Sequence, residues 1–208
     1  MQQLLSYFPN LTETQQQQFA QLEGLYQDWN QKINVISRKD IDNLYIRHVL
    51  HSLSVPPVVR FRSGADILDL GTGGGFPGIP LAIFYPEVNF TLIDGTRKKI
   101  TVVQEVAAAV GLKNVQAQQI RAEELKGKFD FVVTRAVARL DKLIPWSQRL
   151  IKNTERHAIP NGILALKGGN IKAEIREIPK GNYVEVYPIN DFFAEEEFAE
   201  KYVVYVQR

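Results

Sequence analysis

The chain has 208 residues, 45 % of them apolar, which suits one large domain or a domain with a small extension. Cysteine is absent and only three histidines occur. This excludes the cysteine nucleophile that pyrimidine C5 methylation commonly needs and a Cys-ligated zinc centre, and it leaves little for any other metal site.

The net charge of +2 hides an asymmetry: residues 95–180 hold 17 Lys or Arg against 8 Asp or Glu, while the remainder holds 8 against 15. A basic face is expected, with phosphate its commonest partner and an ordinary solvated surface the alternative. The start, Met1-Gln2-Gln3-Leu4, lacks the basic end and long apolar centre of a secretory signal, and no run approaches a membrane span. A reducing, cytoplasmic setting is expected.

Phe19, Leu22, Leu25, Tyr26, Trp29 and Ile33 recur at helical spacing behind Thr12, a candidate N-cap with Glu13 in the first turn. A second helix is expected at 40–55, with Leu44, Val49, Leu50 and Leu53 inward and Pro56-Pro57 ending it. Residues 1–60 thus form a helical N-terminal extension ahead of a domain at 61–208. There strands and helices alternate: strand 65–70, helix 78–85, strand 88–94, helix 97–110, and a turn at Gly111. Strand 114–117, a turn at 122–125, strand 129–134, helix 141–151 and strand 162–167 follow. Helix 171–178 leads to closing strands at 183–188 and 202–207 with no helix between them. The expected fold is α/β: a Rossmann-like sheet, mostly parallel, with an antiparallel C-terminal hairpin. Glu195-Glu196-Glu197 in the hairpin loop reads as a solvated acidic tip.

The segment Asp69-Leu70-Gly71-Thr72-Gly73-Gly74-Gly75-Phe76-Pro77-Gly78 joins the first strand to its helix. Such a corner brings a nucleotide against backbone N–H groups, from which a side chain would hold it away. Two patterns share these letters. Gly73-x-Gly75-x-x-Gly78, followed by Asp94, satisfies the dinucleotide fingerprint with its ribose-binding acid. Asp69-x-Gly71-x-Gly73-x-Gly75 is similar to the signature of class I S-adenosylmethionine-dependent methyltransferases. A carboxylate beside the turn suits an ammonium and a sulfonium and repels a pyrophosphate. Pro77 and Pro80 suit a first helical turn and leave fewer donors for a diphosphate. Methyl transfer is therefore favoured over hydride transfer.

Over nearly its whole length the chain resembles the glucose-inhibited division protein B family, the bacterial small-subunit (16S) rRNA guanine-N7 methyltransferases. The matching residues run from Ile67 through the glycines and Phe76-Pro77-Gly78-Ile79-Pro80 to Leu81. Further matches are Asn30-x-x-Ile33-Asn34, Arg47-His48, Asp94 with Arg97-Lys98-Lys99, and Arg121-Ala122-Glu123-Glu124. Phe129-Asp130-x-x-x-Thr134-Arg135-Ala136 and Leu166-Lys167-Gly168 complete them. The family usually places an acid after His-x-Leu, where this chain has His51, and a small hydroxyl residue is commoner where Gly95 stands.

The resemblance implies S-adenosyl-L-methionine over the carboxyl ends of the strands, beside Asp69, Gly71 and Gly73. Gly71 and Phe76 would lie against its methionine and sulfonium end, Asp94 would accept from the ribose, and Ala122 and Glu123 would meet the adenine. Arg135 would sit near the cofactor carboxylate or the incoming base. Each has a plainer alternative: packing for Phe76, a helix-start charge for Glu123, strand-end solvation for Asp94, and pairing with Asp130 or Asp69 for Arg135.

Guanine N7 carries an in-plane lone pair and no proton, so methylating it needs no general base. Aligning that lone pair with the methyl group and the departing sulfur can contribute about 7–11 kcal/mol. This accounts for the lack of an evident catalytic dyad, and no role beyond positioning by Arg135 is assigned. The fourth strand ends Thr134-Arg135-Ala136-Val137, not the Asn-Pro-Pro-Tyr type that holds an exocyclic amine, which disfavours N6-adenine and N4-cytosine as targets. The base must be unstacked or caught exposed. Phosphates would meet Arg38, Arg47, Arg97, Lys98, Lys99, Arg121, Arg139, Lys142 and Lys167. His48 is expected to be a hydrogen-bonded packing residue and Tyr45 a core-facing aromatic. The expected partner is 16S rRNA or the small-subunit particle, met by a monomer with no metal and no membrane. The alternatives are a small-molecule methyltransferase, a non-catalytic Rossmann-type RNA-binding module and a nicotinamide oxidoreductase.

Overall fold

In a computed structural model, which describes residues 1–37 and 40–208, helices flank a seven-stranded sheet. Its strands are β1 (Asp66–Leu70), β2 (Asn89–Asp94), β3 (Val115–Gln119), β4 (Phe131–Arg135), β5 (Gly162–Gly168), β6 (Val184–Pro188) and β7 (Lys201–Gln207). They lie in the order β3-β2-β1-β4-β5-β7-β6. The first five are parallel, and β7 runs antiparallel between β5 and β6. Central strands buried on both faces read as apolar runs, and Phe131, Val132 and Val133 of β4 are such a run. The edge strand β3 carries glutamines.

Side chains alternate along each strand, so one strand feeds two cores. Ile67 of β1 joins a cluster with Phe90, Phe131 and Val102, whereas Leu68 joins a second with Ile93, Val132 and Leu143. The helices are α1 (Gln2–Tyr7), α2 (Glu13–Lys32), α3 (Val55–Val58), α4 (Gly78–Phe84), α5 (Arg97–Ala109), α6 (Leu140–Gln148) and α7 (Ile171–Arg176). Thr12 caps α2 in a reciprocal capping box with Gln15. Phe19, Leu22 and Tyr26 of α2 pack into the first cluster, so the N-terminal helices and the sheet share one core.

Four expectations need correction. The second helix is not one α-helix: a 3-10 turn at Ile41–Asn43 precedes a π-wound segment at Tyr45–Leu50. Pro56 and Pro57 do not end it. They lie in the first turn of α3, where a missing N–H group leaves no hydrogen bond unmade. Helix α6 stops at Gln148 because Ile151 bridges to Phe129 at the end of the sheet. The acidic tip is only partly solvated: Tyr7 Oη donates to Glu195 Oε2 (3.0 Å) and accepts from the Ala194 N–H (2.8 Å). Ile189, Phe193 and Phe198 of the same connection are buried in the first core. No helix among the described residues is long and apolar enough to cross a membrane.

Candidate active site

The glycine corner is held from beneath by Asp69, the fourth residue of β1, which is fully buried. Its Oδ2 accepts from Thr72 Oγ1 (2.6 Å) and from the Gly78 N–H (2.8 Å), tying the two ends of the turn. Burial pushes its pKa up to about 7 against the pull of those hydrogen bonds and of Arg135. Oδ1 has no partner. Asp69 therefore fastens the turn and lines neither of the cavities described below. A Cβ on Gly78 would lie 2.7 Å from that carboxylate, so the closure of the turn needs glycine. From above, Tyr26 Oη donates to the Gly74 carbonyl (2.6 Å), and Val35 packs on Gly74. Asn30 holds the loop that carries Val35, accepting from the Val35 and Ile36 N–H groups. Tyr26 gave no sign of this in the sequence, where it is one core aromatic among several.

Beyond the corner, at the carboxyl ends of β1, β2 and β3, lies a narrow cleft of about 150 Å3. Leu70, Gly71, Ile93, Asp94, Ala122 and Glu123 line it, with Val137 resting on Gly71. Asp94 Oδ1 accepts from the Thr96 N–H (2.8 Å). Its Oδ2 accepts from the Gly73 N–H (3.2 Å) and Lys99 Nζ (3.4 Å). A carboxylate has about four acceptor sites, so room remains for one further donor. Apolar walls with one acid at the end of the second strand fit a nucleoside. Gly73 contributes its N–H to Asp94 and does not front the cleft.

A second, wider cavity of about 750 Å3 is lined by Arg47, His48, His51, Arg135, Lys167 and Lys201, among others. Arg135 ends β4; its Nη1 donates to the Arg47 carbonyl (3.2 Å) and its Nη2 lies 2.8 Å from His48 Nδ1. The guanidinium sits 5.2 Å over the Phe76 ring. Burial lowers its pKa to about 10, while Asp69 opposes that shift. No acid pairs with it among the described residues; Asp130 is held by Lys152 (3.0 Å) and Arg156 (3.6 Å). Phe76 is 3 % exposed, between the rings of Tyr26 (4.8 Å) and His48 (5.0 Å). It lines neither cavity and supports Arg135 and His48. Burial and Arg135 pull the His48 pKa down to about 3, and the same causes hold His51 well below the usual histidine value.

The cations expected to meet phosphate divide into two groups. Lys167 Nζ donates to Glu174 Oε1 and to the Ala138 carbonyl (2.6 Å each), so it is internally committed, as is Arg139 with Glu177. Arg47 pairs with Asp40 (2.5 Å), Lys99 with Asp94, and Lys142 with Asp141 (3.9 Å). Arg121 at the narrow cleft and Arg97 and Lys98 at the start of α5 stand exposed with no acidic partner among the described residues. Arg38 lies outside the described residues. Tyr45 Oη donates to the Phe19 carbonyl (2.9 Å), as a packing residue does. Lys201, Phe198 and Val137 went unnoticed in the sequence, since nothing local marks a residue that reaches a cavity from β7 or a loop. No cluster of three metal-ligating side chains occurs among the described residues.

A family model described as rRNA small subunit methyltransferase G matches residues 15–194. A protein of that name from Flavobacterium psychrophilum is 55 % identical over 206 residues, covering 99 % of this chain and 97 % of that one. Among solved structures, a ribosomal protein L11 methylase from Lactobacillus delbrueckii subsp. bulgaricus superposes with a TM-score of 0.55. It is 16 % identical and covers 76 % of each chain. A mutant of MtNAS in complex with S-adenosylmethionine gives 0.59 at 14 % identity, covering 93 % of this chain and 76 % of that one. Likeness at that identity speaks for the fold alone, which is the class I methyltransferase fold.

Proposed function

This chain belongs to the rRNA small subunit methyltransferase G family, and we propose that it transfers a methyl group from S-adenosyl-L-methionine to N7 of a guanine in the decoding-region loop of 16S rRNA. The observation that carries the reading is a pair of cavities, one narrow and largely apolar with Asp94 at its edge, the other wide and lined by charged side chains of both signs, among which Arg135 has no acidic partner in the described residues. Leu70, Ile93 and Ala122 would flank the adenine, Asp94 would accept from the ribose hydroxyls, and Gly71 would admit the methionine end once Val137 swings aside. Bound there, the cofactor supplies an electrophilic methyl group on a sulfonium.

The protein's own part is positioning. N7 has no proton to lose, and the site accordingly offers neutral histidines and a locked arginine instead of a general base. Arg135 is held by the Arg47 carbonyl, His48 and Phe76 and lines the wide cavity, where it would meet the incoming nucleotide. A neutral His48 also suits a base that becomes cationic on methylation. Arg97, Lys98 and Arg121, free of acidic partners, are the first candidates for phosphate contacts.

The test is labelled methyl transfer to undermodified small-subunit RNA, free and within the particle, followed by mapping of nucleotide and atom. Label at N7 of one guanine is expected. Label on an exocyclic amine or a ribose would refute the assignment while leaving family and fold intact.

A further inference from the structure

Two residues that line the wide cavity each carry a buried ring nitrogen without a partner. His48 and His51 both line it, and Nε2 of each is buried without a hydrogen bond. Buried polar atoms are normally satisfied, and those left open in a cavity are candidates for ligand contacts. Their neighbours decide where the protons sit. A guanidinium has donors only, so His48 Nδ1, facing Arg135 Nη2 at 2.8 Å, must accept. The single proton of the neutral ring is then on Nε2. The His51 ring is bonded to the Arg47 carbonyl, which only accepts, so its proton points there and Nε2 keeps a free lone pair. One helical segment thus carries an unused donor and, three residues on, an unused acceptor.

We infer that His48 and His51 read the target base, His48 Nε2–H donating to O6 of guanine and His51 Nε2 accepting from its N1–H. The inference rests on the guanine-N7 reading above. Guanine presents an acceptor and a donor side by side at these positions; adenine presents an amino donor and a bare nitrogen, so both contacts would turn repulsive. O6 neighbours N7 on the ring, so a grip on O6 and N1–H fixes the plane in which the N7 lone pair points. Arg135 acts behind the pair by setting the His48 tautomer. Neither ring moves a proton.

The experiment compares small-subunit RNA carrying guanosine at the target with RNA carrying 2-aminopurine riboside, which keeps N7 but lacks both O6 and N1–H. For the unaltered protein, kcat/KM for the second RNA should fall by about 100-fold or more, as sites built around a substrate's polar groups discriminate. In His48→Ala and in His51→Ala that ratio should shrink by about tenfold, with cofactor affinity measured alongside by calorimetry. His48→Gln, whose amide can donate, should recover part of the ratio. Should His48→Ala fail to fold, His48→Phe keeps a ring against Phe76 and must lose discrimination in the same way. An unchanged ratio in the folded variants overturns the inference. Absence of 7-methylguanosine from the unaltered protein's product overturns the functional reading instead.

Discussion

The narrow cleft and the wide cavity take lining from neighbouring residues, Val137 in the one and Ala136 in the other, yet they are assembled differently. The cleft is made where β1, β2 and β3 end, from short runs that each carry their own signal: the glycines after Asp69, the acid at Asp94, and Ala122-Glu123 after Arg121. The cavity draws on residues 40–51, 135–136, 166–174 and 197–201, and no one run announces it. Backbone geometry can hold a constant ligand with local sequence. A site for a large and irregular partner is built from side chains that converge only after folding.

The glycine corner behind the cleft and the histidine wall of the cavity should also respond to pH in opposite senses, and this is the largest effect expected. The folded-state pKa of Asp69 is about 7, above its ordinary 3.8, so the stability linked to its neutral form is full below pH 4 and lost as pH rises toward 7. For His48 the folded value of about 3 lies below 6.5, so the linked stability is full above that pH and lost as pH falls toward 3. Each shift corresponds to a few kcal/mol at about 1.4 kcal/mol per unit. Urea unfolding across this range should show Asp69→Asn stabilised relative to the parent at pH 8 and equal to it at pH 4. In His48→Gln the acid limb should flatten. Parallel curves for parent and variants would mean that neither group titrates as its burial demands.

Asp94→Ala should weaken cofactor binding by about 100-fold, the loss of charge-assisted hydrogen bonds, while RNA affinity stays within about twofold. Calorimetry showing unchanged cofactor affinity would move the ribose out of the cleft and dissolve the contrast between the regions. Arg135→Lys should act on the other side. A lysine cannot span His48, the Arg47 carbonyl and the Phe76 face together, so kcat/KM for RNA should drop about tenfold with little change in cofactor affinity. Equal losses in both measurements would place Arg135 on the cofactor.

The smallest effects concern the cations. Lys98→Ala should lower RNA affinity about two- to threefold and reduce the slope of log affinity against log salt by about one. Lys167→Ala should leave that slope unaltered and instead lower the thermal midpoint, because Glu174 loses its cationic partner and keeps only the Leu140 N–H. Reversed behaviour of the two variants would show that Lys167 leaves Glu174 when RNA binds.

Much of the fold was legible in the letters. The alternation of apolar strands with helices, the Thr12 cap and the closing hairpin all appear where the periodicities of two and 3.6 residues place them. The π-wound turn at Tyr45–Leu50 was not legible, because its pitch is set by what the helix packs against and not by the residues' own preferences. That Lys167 is paired with Glu174, seven residues along the chain, has no signal in the letters. Nor does the motif around Phe76 show that its ring packs under Arg135.

Local chemistry thus determined the alternation of strands and helices, the glycine corner and the acid at the end of the second strand, since each depends on a few neighbouring residues and a fixed repeat. Tertiary structure alone decided which carboxylate is buried, which cations are already engaged, and which histidine nitrogens are left without a partner. Those outcomes depend on desolvation and pairing between segments far apart in the chain, and no periodicity along it encodes them.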